Sequence, residues 1–308
     1  MKKVFIDGSA GTTGLRIYER LSARDDVQIL TLMEENRKDI AARKQMLNSA
    51  DVAFLCLPDD AAREAVALVE NPETVVIDAS TAHRTLPDWA YGFAELSKAH
   101  EEKILSSKRI ANPGCHASGF IALVYPLIEK GLVEKDVLLT CHSITGYSGG
   151  GKKMIADYQS ADRCTLLDAP RQYAIGQQHK HLKEMQAITG LANAPIFSPI
   201  VSDFYSGMTV TVPLFKSQLK GSVEQIKELY REKYNGEIVQ YKENVDEGGF
   251  ISGAALSGKD SMWIGVAGNE ERILLVACYD NLGKGASGAA IECMNMVIGA
   301  EKTKGLVL

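Results

Sequence analysis

The fold is decided near the N-terminus, by the stretch Val4-Phe5-Ile6-Asp7-Gly8-Ser9-Ala10-Gly11-Thr12-Thr13-Gly14. A short apolar run is followed by glycines spaced G-x-x-G-x-x-G and then by a helical pattern. Residues without a Cβ allow a tight turn and let the backbone approach a pyrophosphate closely. The N-terminus of the next helix offers free N–H groups to the same anion. The stretch therefore predicts a dinucleotide-binding turn, with a plain strand-to-helix turn as the alternative, and its candidate binding residues are Gly8, Ser9, Gly11, Thr12, Thr13 and Gly14.

Working outward from this turn, strands and helices alternate over the first 110 residues. The apolar pattern predicts strands at 3–7, 27–32, 51–57 and 74–78, and helices at 12–21, 38–48 and 61–69. These strands are continuously apolar, as expected when helices cover both faces of a sheet. The order predicts a Rossmann-type doubly wound parallel sheet in an α/β protein.

The pattern changes after Gly114. We predict a helix at 116–130, longer strands at 137–145, 208–215, 262–266 and 272–279, and a last helix at 286–298. The strand from Met208 alternates apolar and polar residues, so one face of its sheet contacts another layer. The sequence thus predicts two domains, 1–113 with 285–308 and 114–284, the second of α+β class with a mixed sheet.

Composition excludes several classes of partner. The chain has 308 residues and a formal net charge of −5, which argues against nucleic acid or an anionic membrane as a partner. We find no signal peptide and no apolar stretch long enough for a membrane. Six cysteines are scattered without a C-x-x-C pair, so the sequence predicts no metal site and a reducing, cytoplasmic location.

One cysteine stands apart from the other five. Cys115 follows Asn112-Pro113-Gly114 and directly precedes the predicted helix. A thiol at a helix N-terminus has a lowered pKa, because the helix stabilises the thiolate. Cys115 is therefore the candidate nucleophile, whereas the other cysteines are expected to be buried thiols.

A thiolate nucleophile needs a partner that moves protons. His179 and His181 form an H-x-H pair at the start of a predicted helix, and Glu184 lies one turn later. The carboxylate of Glu184 is placed to orient an imidazole or to hold substrate. We predict His181 as the acid–base residue, with His179 as the alternative. His116 is a poor base because neighbouring helix residues point apart.

Several loops are suited to anions. A glycine-rich segment, 143–153, ends in two lysines and opens a helix, so its backbone can hold a phosphate or carboxylate. Ser80 and Arg84 follow a strand at the edge where open α/β sheets bind ligands. The guanidinium of Arg84 is suited to a bidentate hydrogen bond with a carboxylate. These residues alone do not decide between NAD and NADP. Glu34 or Glu35 favours NAD, whereas Arg37 and Lys38 favour NADP.

Taken together, these motifs resemble the N-acetyl-gamma-glutamyl-phosphate reductase family in its short (type 2) form. That family is part of the glyceraldehyde-3-phosphate and aspartate-semialdehyde dehydrogenase superfamily. The matching segments span nearly the whole chain, and they are residues 5–15, 54–59, 78–84, 112–115, 146–152, 179–181 and 280–286. The sequence departs from the family at His116-Ala117-Ser118, where the family carries Tyr-Pro-Thr.

The resemblance implies a glyceraldehyde-3-phosphate dehydrogenase-like fold, NADP(H) as cofactor, and a step of arginine biosynthesis. It implies that Cys115 forms a thioester with N-acetylglutamyl phosphate, that a histidine of the 179/181 pair moves protons, and that Asn281 lies near the nicotinamide. Substrate contacts are then expected from Ser80, Arg84, Asn112, Ser148, Gly149, Lys152 and Glu184, and cofactor contacts also from Arg37. The superfamily resemblance further implies a homo-oligomer, a dimer or tetramer.

Two alternatives remain at this point. One keeps the chemistry and changes the substrate to aspartyl phosphate or an aminoadipyl analogue. The other is a non-catalytic dinucleotide-binding regulator, which needs the glycine turn but no reactive thiol.

Overall fold

The first sheet is parallel throughout and has six strands in the order β2-β1-β3-β4-β6-β5. The computed structural model describes all 308 residues. The strands are β1 (Lys2–Asp7), β2 (Val27–Leu30), β3 (Val52–Leu55), β4 (Val75–Asp78), β5 (Ala90–Tyr91) and β6 (Arg109–Ala111). The helices of this part of the chain are α1 (Thr12–Ser22), α2 (Ile40–Ser49), α3 (Asp59–Ala67) and α4 (Lys98–Ser106). The last helix of the chain, α9 (Gly288–Val297), completes the set.

Helices cover both faces of this sheet, as the continuously apolar strands predict. On one face Val4 and Ile6 pack with Ile17 of α1, Ile104 of α4 and Ile291 of α9. On the other face, Phe5 of β1 and Ala53 and Leu55 of β3 pack with the helices. Their partners include Leu47 of α2 and Ala65 of α3. The predicted doubly wound parallel sheet is confirmed.

A mixed sheet of seven strands forms the second part, in the order β11-β12-β13-β10-β7-β9-β8. Its strands are β7 (Thr140–Gly146), β8 (Arg171–Gln172), β9 (Ile196–Ser202), β10 (Met208–Phe215), β11 (Val239–Tyr241), β12 (Met262–Gly268) and β13 (Arg272–Tyr279). Its helices are α5 (Cys115–Glu129), α6 (Gly151–Gln159), α7 (His181–Thr189) and α8 (Val223–Lys233). The central helix α5 packs against β10, β13 and α7, which gives the predicted α+β layer.

The chain divides into two units, each with its own core. Unit 1 consists of Met1–Pro113 and Ala286–Leu306, and unit 2 consists of Gly114–Gly285 and Val307–Leu308. The last two residues belong to unit 2 because the backbone N–H of Val307 donates to Asp260 and the Lys259 ammonium donates to the Leu308 carbonyl. The predicted division, 1–113 with 285–308 and 114–284, differs from these units at Gly285 and at the last two residues.

Several predicted element ends are wrong, and the residues at the helix starts explain two of them. Helix α2 begins at Ile40 rather than at residue 38, because the Asp39 carboxylate accepts a hydrogen bond from Ala42 N at 2.7 Å and so caps the helix. Helix α3 begins directly after Pro58, with Asp59 and Asp60 in its first turn, where the helix dipole favours acidic side chains. The strand predicted from residue 137 begins only at Thr140.

Candidate active site

In unit 1, the glycine turn after β1 is closed by contacts that leave no room for a side chain. Gly8 has φ +87°, in the left-handed region, and a Cβ there would overlap the carbonyl oxygen of Cys56 at the end of β3. The N–H of Gly11 donates to the carbonyl of Gly8 at 3.0 Å. The turn therefore lies where β1 and β3 adjoin, the point at which the strand order of this sheet changes direction and at which open α/β sheets bind ligands.

The N-terminus of α1 is suited to an anion. No side chain caps it, and no acidic residue lies in its first turn. The Thr12 hydroxyl oxygen is buried and has no hydrogen-bond partner in the protein. Because buried polar atoms are nearly always paired, this hydroxyl and the free N–H groups of Thr12, Thr13 and Gly14 fit a phosphate of a dinucleotide.

A cavity of ≈ 520 Å³ adjoins this turn. Gly8 and Ser9 line it, together with apolar side chains of β1, β2 and α1 and with three cations, Arg37, Lys38 and Arg43. Arg43 is fixed by a buried ion pair, since its Nη2 lies 2.8 Å from Asp7 Oδ2. Neither of the acidic candidates, Glu34 and Glu35, lines the cavity, and Glu34 lies 3.5 Å from Arg37.

In unit 2, Cys115 is the first residue of α5, as the sequence predicts within one residue. The helix has no side-chain cap and no acidic residue in its own first turn, so its dipole favours the thiolate form of the half-buried Cys115. The other cysteines differ. Burial, with the charges of Asp78 and Asp7, raises the pKa of Cys56 to about 12. Burial also raises the pKa of Cys141 and of Cys278, so these thiols are inert at neutral pH.

A tyrosine hydroxyl holds the first turn of α5. Tyr279, at the end of β13, donates to the Cys115 carbonyl at 2.5 Å and accepts from the Gly119 N–H at 3.0 Å. A Cβ at Gly119 would lie 2.7 Å from that hydroxyl, so only glycine admits the contact. Burial raises the pKa of Tyr279 well above its usual value, and the hydroxyl therefore stays protonated. The sulfur-bearing turn is thus fixed to the central sheet.

Glu184 fixes the residue before the thiol. It is buried in α7, and its Oε1 accepts a hydrogen bond from the Gly114 N–H at 2.8 Å. Sequence analysis predicted that Glu184 holds substrate or orients an imidazole. The contact with Gly114 shows a third use of the carboxylate, which positions the start of α5, and the substrate role stays a prediction.

The structure brings three histidines together near this helix start. The ring centroids of His179 and His181 lie 4.6 Å apart, and His116 lies 5.9 and 5.7 Å from them. The Nδ1 of His179 accepts from the His181 backbone N–H at 3.2 Å, so in neutral His179 the proton is on Nε2. The H-x-H pair therefore forms one cluster with His116, the residue next to Cys115.

The glycine-rich segment after β7 is anchored by Asn281. The Asn281 amide donates to the Ser148 hydroxyl at 3.0 Å and accepts from the Gly207 N–H at 2.9 Å. Ser148 and Asn281 are both buried, whereas Lys152 is exposed on α6. Gly149 lies beside Asn281, where a Cβ would be 3.4 Å from the amide nitrogen. The predicted contact of Asn281 with the nicotinamide stays a prediction, and its shown role is to hold the loop that carries Ser148 and Gly149.

The residues after β4 form a buried network in unit 1. Asp78 accepts from the Ser80 hydroxyl at 2.6 Å and lies 2.6 Å from His83 Nδ1. Arg84 is buried and donates to the backbone carbonyls of Asn112 at 2.9 Å and Ala79 at 3.0 Å. The Asn112 side-chain carbonyl is buried without a hydrogen-bond partner in the protein, so it remains able to accept from a ligand. The substrate roles of Ser80, Arg84 and Asn112 stay predictions.

Sequence analysis missed three residues of the site in unit 2, namely Ser143, Tyr173 and Tyr279. Tyr173 contacts His116 across 57 positions, and Tyr279 contacts Cys115 across 164. Nothing in the local sequence distinguishes these tyrosines from core residues. One signal is present for Ser143, since it is a polar residue in the alternate set Cys141, Ser143 and Thr145, which β7 buries.

Comparison with known proteins agrees with both halves of this description. Residues 3–104 match the family model described as semialdehyde dehydrogenase, NAD binding domain, and residues 115–281 match semialdehyde dehydrogenase, dimerisation domain. N-acetyl-gamma-glutamyl-phosphate reductase 2 of Nostoc sp. is 43% identical, with 99% of each chain covered. The protein named N-acetyl-gamma-glutamyl-phosphate reductase in Brucella ovis is 44% identical, over 96% of this chain and 99% of that one.

The chain belongs to the N-acetyl-gamma-glutamyl-phosphate reductase family. Solved structures place the family's fold with other semialdehyde dehydrogenases. Aspartate semialdehyde dehydrogenase II of Vibrio cholerae matches with a TM-score of 0.71 at 16% identity, over 97% of this chain and 98% of that one. A probable aspartate-semialdehyde dehydrogenase of Pseudomonas aeruginosa matches with a TM-score of 0.72 at 16% identity, and the match covers 96% of this chain and 98% of that one. The predicted fold class and family are confirmed. No helix is both long and apolar enough to span a membrane.

Proposed function

We propose that the protein reduces N-acetyl-L-glutamyl 5-phosphate to N-acetyl-L-glutamate 5-semialdehyde and phosphate, in arginine biosynthesis. The observation that carries the proposal is Cys115 at the uncapped start of α5, in a chain 43–44% identical over nearly its whole length to proteins named for this reaction. The non-catalytic alternative is disfavoured, because a dinucleotide-binding regulator needs neither the fixed thiol nor the histidine cluster.

The reaction proceeds in two stages on Cys115. The thiolate attacks the acyl carbon, a C–S bond forms, and the C–O bond to phosphate breaks with its electron pair leaving on phosphate. A reduced nicotinamide dinucleotide, which the glycine turn of unit 1 would hold, would supply the hydride that takes the Cys115 thioester to a thiohemiacetal. The C–S bond then breaks, the electron pair returns to sulfur, and the aldehyde leaves. Free N–H groups at the start of α5 stabilise the oxygen anion of each tetrahedral stage.

One histidine of the 179/181 pair moves the proton between these stages. We propose His181, which is the first residue of α7, in the same cluster of rings as His179 and His116. The test compares His181→Asn with His179→Asn at saturating substrate. We expect His181→Asn to lower kcat by about 10²–10⁴-fold, the usual contribution of a general acid–base residue. A larger loss in His179→Asn would move the assignment to that residue.

NADP(H) is the cofactor we propose. Arg37 and Lys38 line the cavity beside the glycine turn and would pair with a 2′-phosphate, whereas Glu34 and Glu35 do not line it. The experiment titrates NADPH and NADH into wild-type protein and into Arg37→Ala and Lys38→Ala. We expect each substitution to weaken NADPH binding by about tenfold and to leave NADH binding unchanged. Equal weakening of NADPH binding and NADH binding would show that these cations do not contact the 2′-phosphate.

Covalent catalysis is tested with Cys115→Ser. We expect it to abolish phosphate-dependent reduction of NADP with the semialdehyde, because a serine hydroxyl is not ionised at neutral pH. Cys164→Ser, which alters an exposed thiol, is the matched control and should keep the wild-type rate. A residual rate of a tenth or more in Cys115→Ser would contradict a thioester mechanism.

The substrate is tested by steady-state rates with the semialdehydes of N-acetylglutamate, aspartate and aminoadipate. We expect kcat/KM to be highest for the N-acetylglutamate compound. A higher kcat/KM for one of the other two semialdehydes would leave the proposed chemistry of Cys115 unchanged, and it would show that the substrate is a different acyl phosphate. We place the reaction in the cytoplasm, which is supported by the six free cysteines.

A dimer is the assembly we propose, formed through the open face of the unit 2 sheet. Pro213 of β10 pairs directly with Leu274 of β13, and Phe215 follows on the same face. Phe215 is 64% exposed, Leu274 is 38% exposed, and Ile196 of β9 is 61% exposed, so this part of the face opposite α5 presents uncovered apolar side chains. The family model matched by residues 115–281, described as a dimerisation domain, supports this assembly.

A further inference from the structure

The turn that follows β13 packs directly against Cys115. A Cβ added at Gly285 would lie 3.2 Å from Cys115 Cβ and 3.4 Å from Cys115 Cα. The same atom would lie 3.1 Å from the carbonyl oxygen of Asp280. Because interiors are close-packed, a side chain at position 285 would have to push Cys115 aside by a few tenths of an ångström. The backbone of Gly285 is therefore a wall beside the thiol-bearing residue.

Asp280 fixes the path of this turn. Its Oδ1 accepts from the Leu282 N–H at 2.6 Å and from the Gly283 N–H at 3.1 Å. Aspartate side chains often bond the backbone two residues further on and so set a turn. The backbone carbonyl of Asp280 also accepts from the N–H groups of Gly283 and Gly285, at 3.1 and 3.0 Å. Residues 280–285 thus form one closed turn, and its last residue contacts Cys115.

The second oxygen of Asp280 ties this turn to two other loops of unit 2. Oδ2 accepts from the Ser206 hydroxyl at 2.7 Å and from the Gly258 N–H at 2.5 Å. The next residue, Asn281, accepts from the Gly207 N–H at 2.9 Å. Asp280 is fully buried, and a buried carboxylate is tolerated where donors satisfy it, as they do here at both oxygens. The turn is therefore held from both sides of one side chain.

We propose that Asp280 is a positioning residue for the Cys115 thiol and that it acts through Gly285. The carboxylate sets the turn, and the turn limits where the Cys115 side chain can lie. The proposal rests on the proposed function in one respect, that Cys115 is the nucleophile. Attack requires the sulfur and the acyl carbon to be aligned about 3–3.5 Å apart, and a misplacement of about 1 Å can slow a reaction about 100-fold.

The need for two acceptor oxygens is tested with Asp280→Asn. Asparagine keeps the shape of aspartate and one acceptor, but its NH₂ group would face the donors on one side, either Gly258 or the pair Leu282 and Gly283. We expect kcat to fall about tenfold or more and KM for the semialdehyde to change less than threefold, because the bound substrate meets a displaced sulfur.

The other end of the same path is tested with Gly285→Ala. The added methyl group displaces Cys115, and we expect kcat to fall about tenfold with KM nearly unchanged. Gly265→Ala in β12 is the matched control, because the three atoms nearest to its added methyl all belong to the Val245 side chain. It crowds the same unit away from Cys115 and should keep the wild-type kcat.

Alkylation of Cys115 by iodoacetamide at pH 7 separates the direction of the thiol from its reactivity. The assay uses a Cys164→Ser background, which removes the exposed thiol. A small reagent does not need an aligned substrate, so we expect Asp280→Asn and Gly285→Ala to keep the alkylation rate within about twofold of wild type while kcat falls. If alkylation and kcat fell in parallel, the turn would not act by directing the thiol, and the proposal would be overturned.

The outcomes separate this inference from the proposed function. A wild-type protein without phosphate-dependent NADP reduction, and with a slowly alkylated Cys115, would contradict the proposed function itself. An active wild type with unchanged kcat in Gly285→Ala would leave the proposed function standing and would overturn the role of the turn. An equal loss of kcat in Gly265→Ala would attribute the effect to general destabilisation and would overturn it too. If Asp280→Asn does not fold, the two alanine variants decide.

Discussion

At the scale of single residues, Glu184 shows how a buried side chain positions the start of α5 through a backbone hydrogen bond. Its buried carboxylate accepts from the Gly114 N–H, one residue before the nucleophile. Removing the acceptor leaves a buried donor unsatisfied, at a cost of about 1–3 kcal/mol. The position of the thiol therefore depends on a residue 70 positions away in the chain.

Glu184→Ala should lower the free energy of unfolding by about 1–3 kcal/mol and reduce kcat. Glu184→Gln keeps a carbonyl oxygen at the same place, so we expect it to restore most of the stability. Urea unfolding and steady-state rates of both variants provide the check. If the glutamine variant lost as much stability as the alanine variant, the hydrogen bond to Gly114 would not be what the carboxylate contributes.

His116 predicts a dependence of stability on pH. Its pKa is about 3 in the folded protein and near 6.5 when exposed, so between these values the unfolded chain binds a proton that the folded chain does not. Stability is full above pH 6.5 and is lost as the pH falls. Between pH 7.5 and pH 5 the loss from this group is about 2 kcal/mol. In His116→Gln the pH-dependent loss, measured by urea unfolding, should be smaller by that amount; an unchanged loss would contradict the assignment.

The site residues that the sequence predicts all lie in local motifs. Cys115 follows an Asn-Pro-Gly run before a helix. The pair His179 and His181 is recognised from its H-x-H spacing alone. The residues that it missed act through contacts over long separations, such as Tyr279 on Cys115. Those contacts follow from strand order and helix packing, which motif spacing does not encode.

At the scale of elements, the junction of α5 with β13 fixes the position of Cys115, the proposed nucleophile. The Tyr279 hydroxyl bonds both the carbonyl of Cys115 and the N–H of Gly119, the two groups that close the first helical turn. Glycine usually weakens a helix by about 1 kcal/mol relative to alanine. Here it is required, because the space of its missing side chain is filled by Tyr279 and Val210.

Gly119→Ala should therefore destabilise the protein in spite of its better helix propensity, and it should lower kcat by displacing the thiol. Tyr279→Phe removes the hydroxyl that the new methyl group meets. In a double-mutant cycle we expect the two losses of stability to be less than additive, with a coupling of about 1 kcal/mol. Strict additivity would mean that the two residues do not share one contact.

Element prediction succeeded where patterns were long and apolar. The strands β10 and β13 have the predicted bounds, and α5 begins one residue early. The sequence does not predict the strand β9, because Pro199 lies inside it. Proline is tolerated there because β9 lies close to the edge of the sheet, with only the two-residue strand β8 beyond it. The helix α8 was missed because its pattern is largely polar, although Ser222 and Gln225 form a capping box at its start.

At the scale of the whole molecule, the open face of the unit 2 sheet predicts the assembly. Leu274→Glu places a charge at the centre of the apolar patch beside Pro213. We expect it to convert the dimer to monomers in sedimentation experiments, because an unpaired charge is costly in an apolar interface. Phe250→Glu alters an exposed apolar residue outside this sheet and is the control. Dissociation by the control alone would place the interface elsewhere.

The last helix has a consequence for how the protein is made. Ala290, Ile291 and Met294 of α9 complete the core of unit 1, yet they are translated only after the whole segment Gly114–Gly285 of unit 2. Unit 2 is nearly continuous, from Gly114 to Gly285, so its core is available earlier in synthesis. The dinucleotide-binding half, although it is translated first, must wait for its closing helix. During that interval its nascent sheet exposes an apolar face, which makes the incomplete unit prone to aggregation.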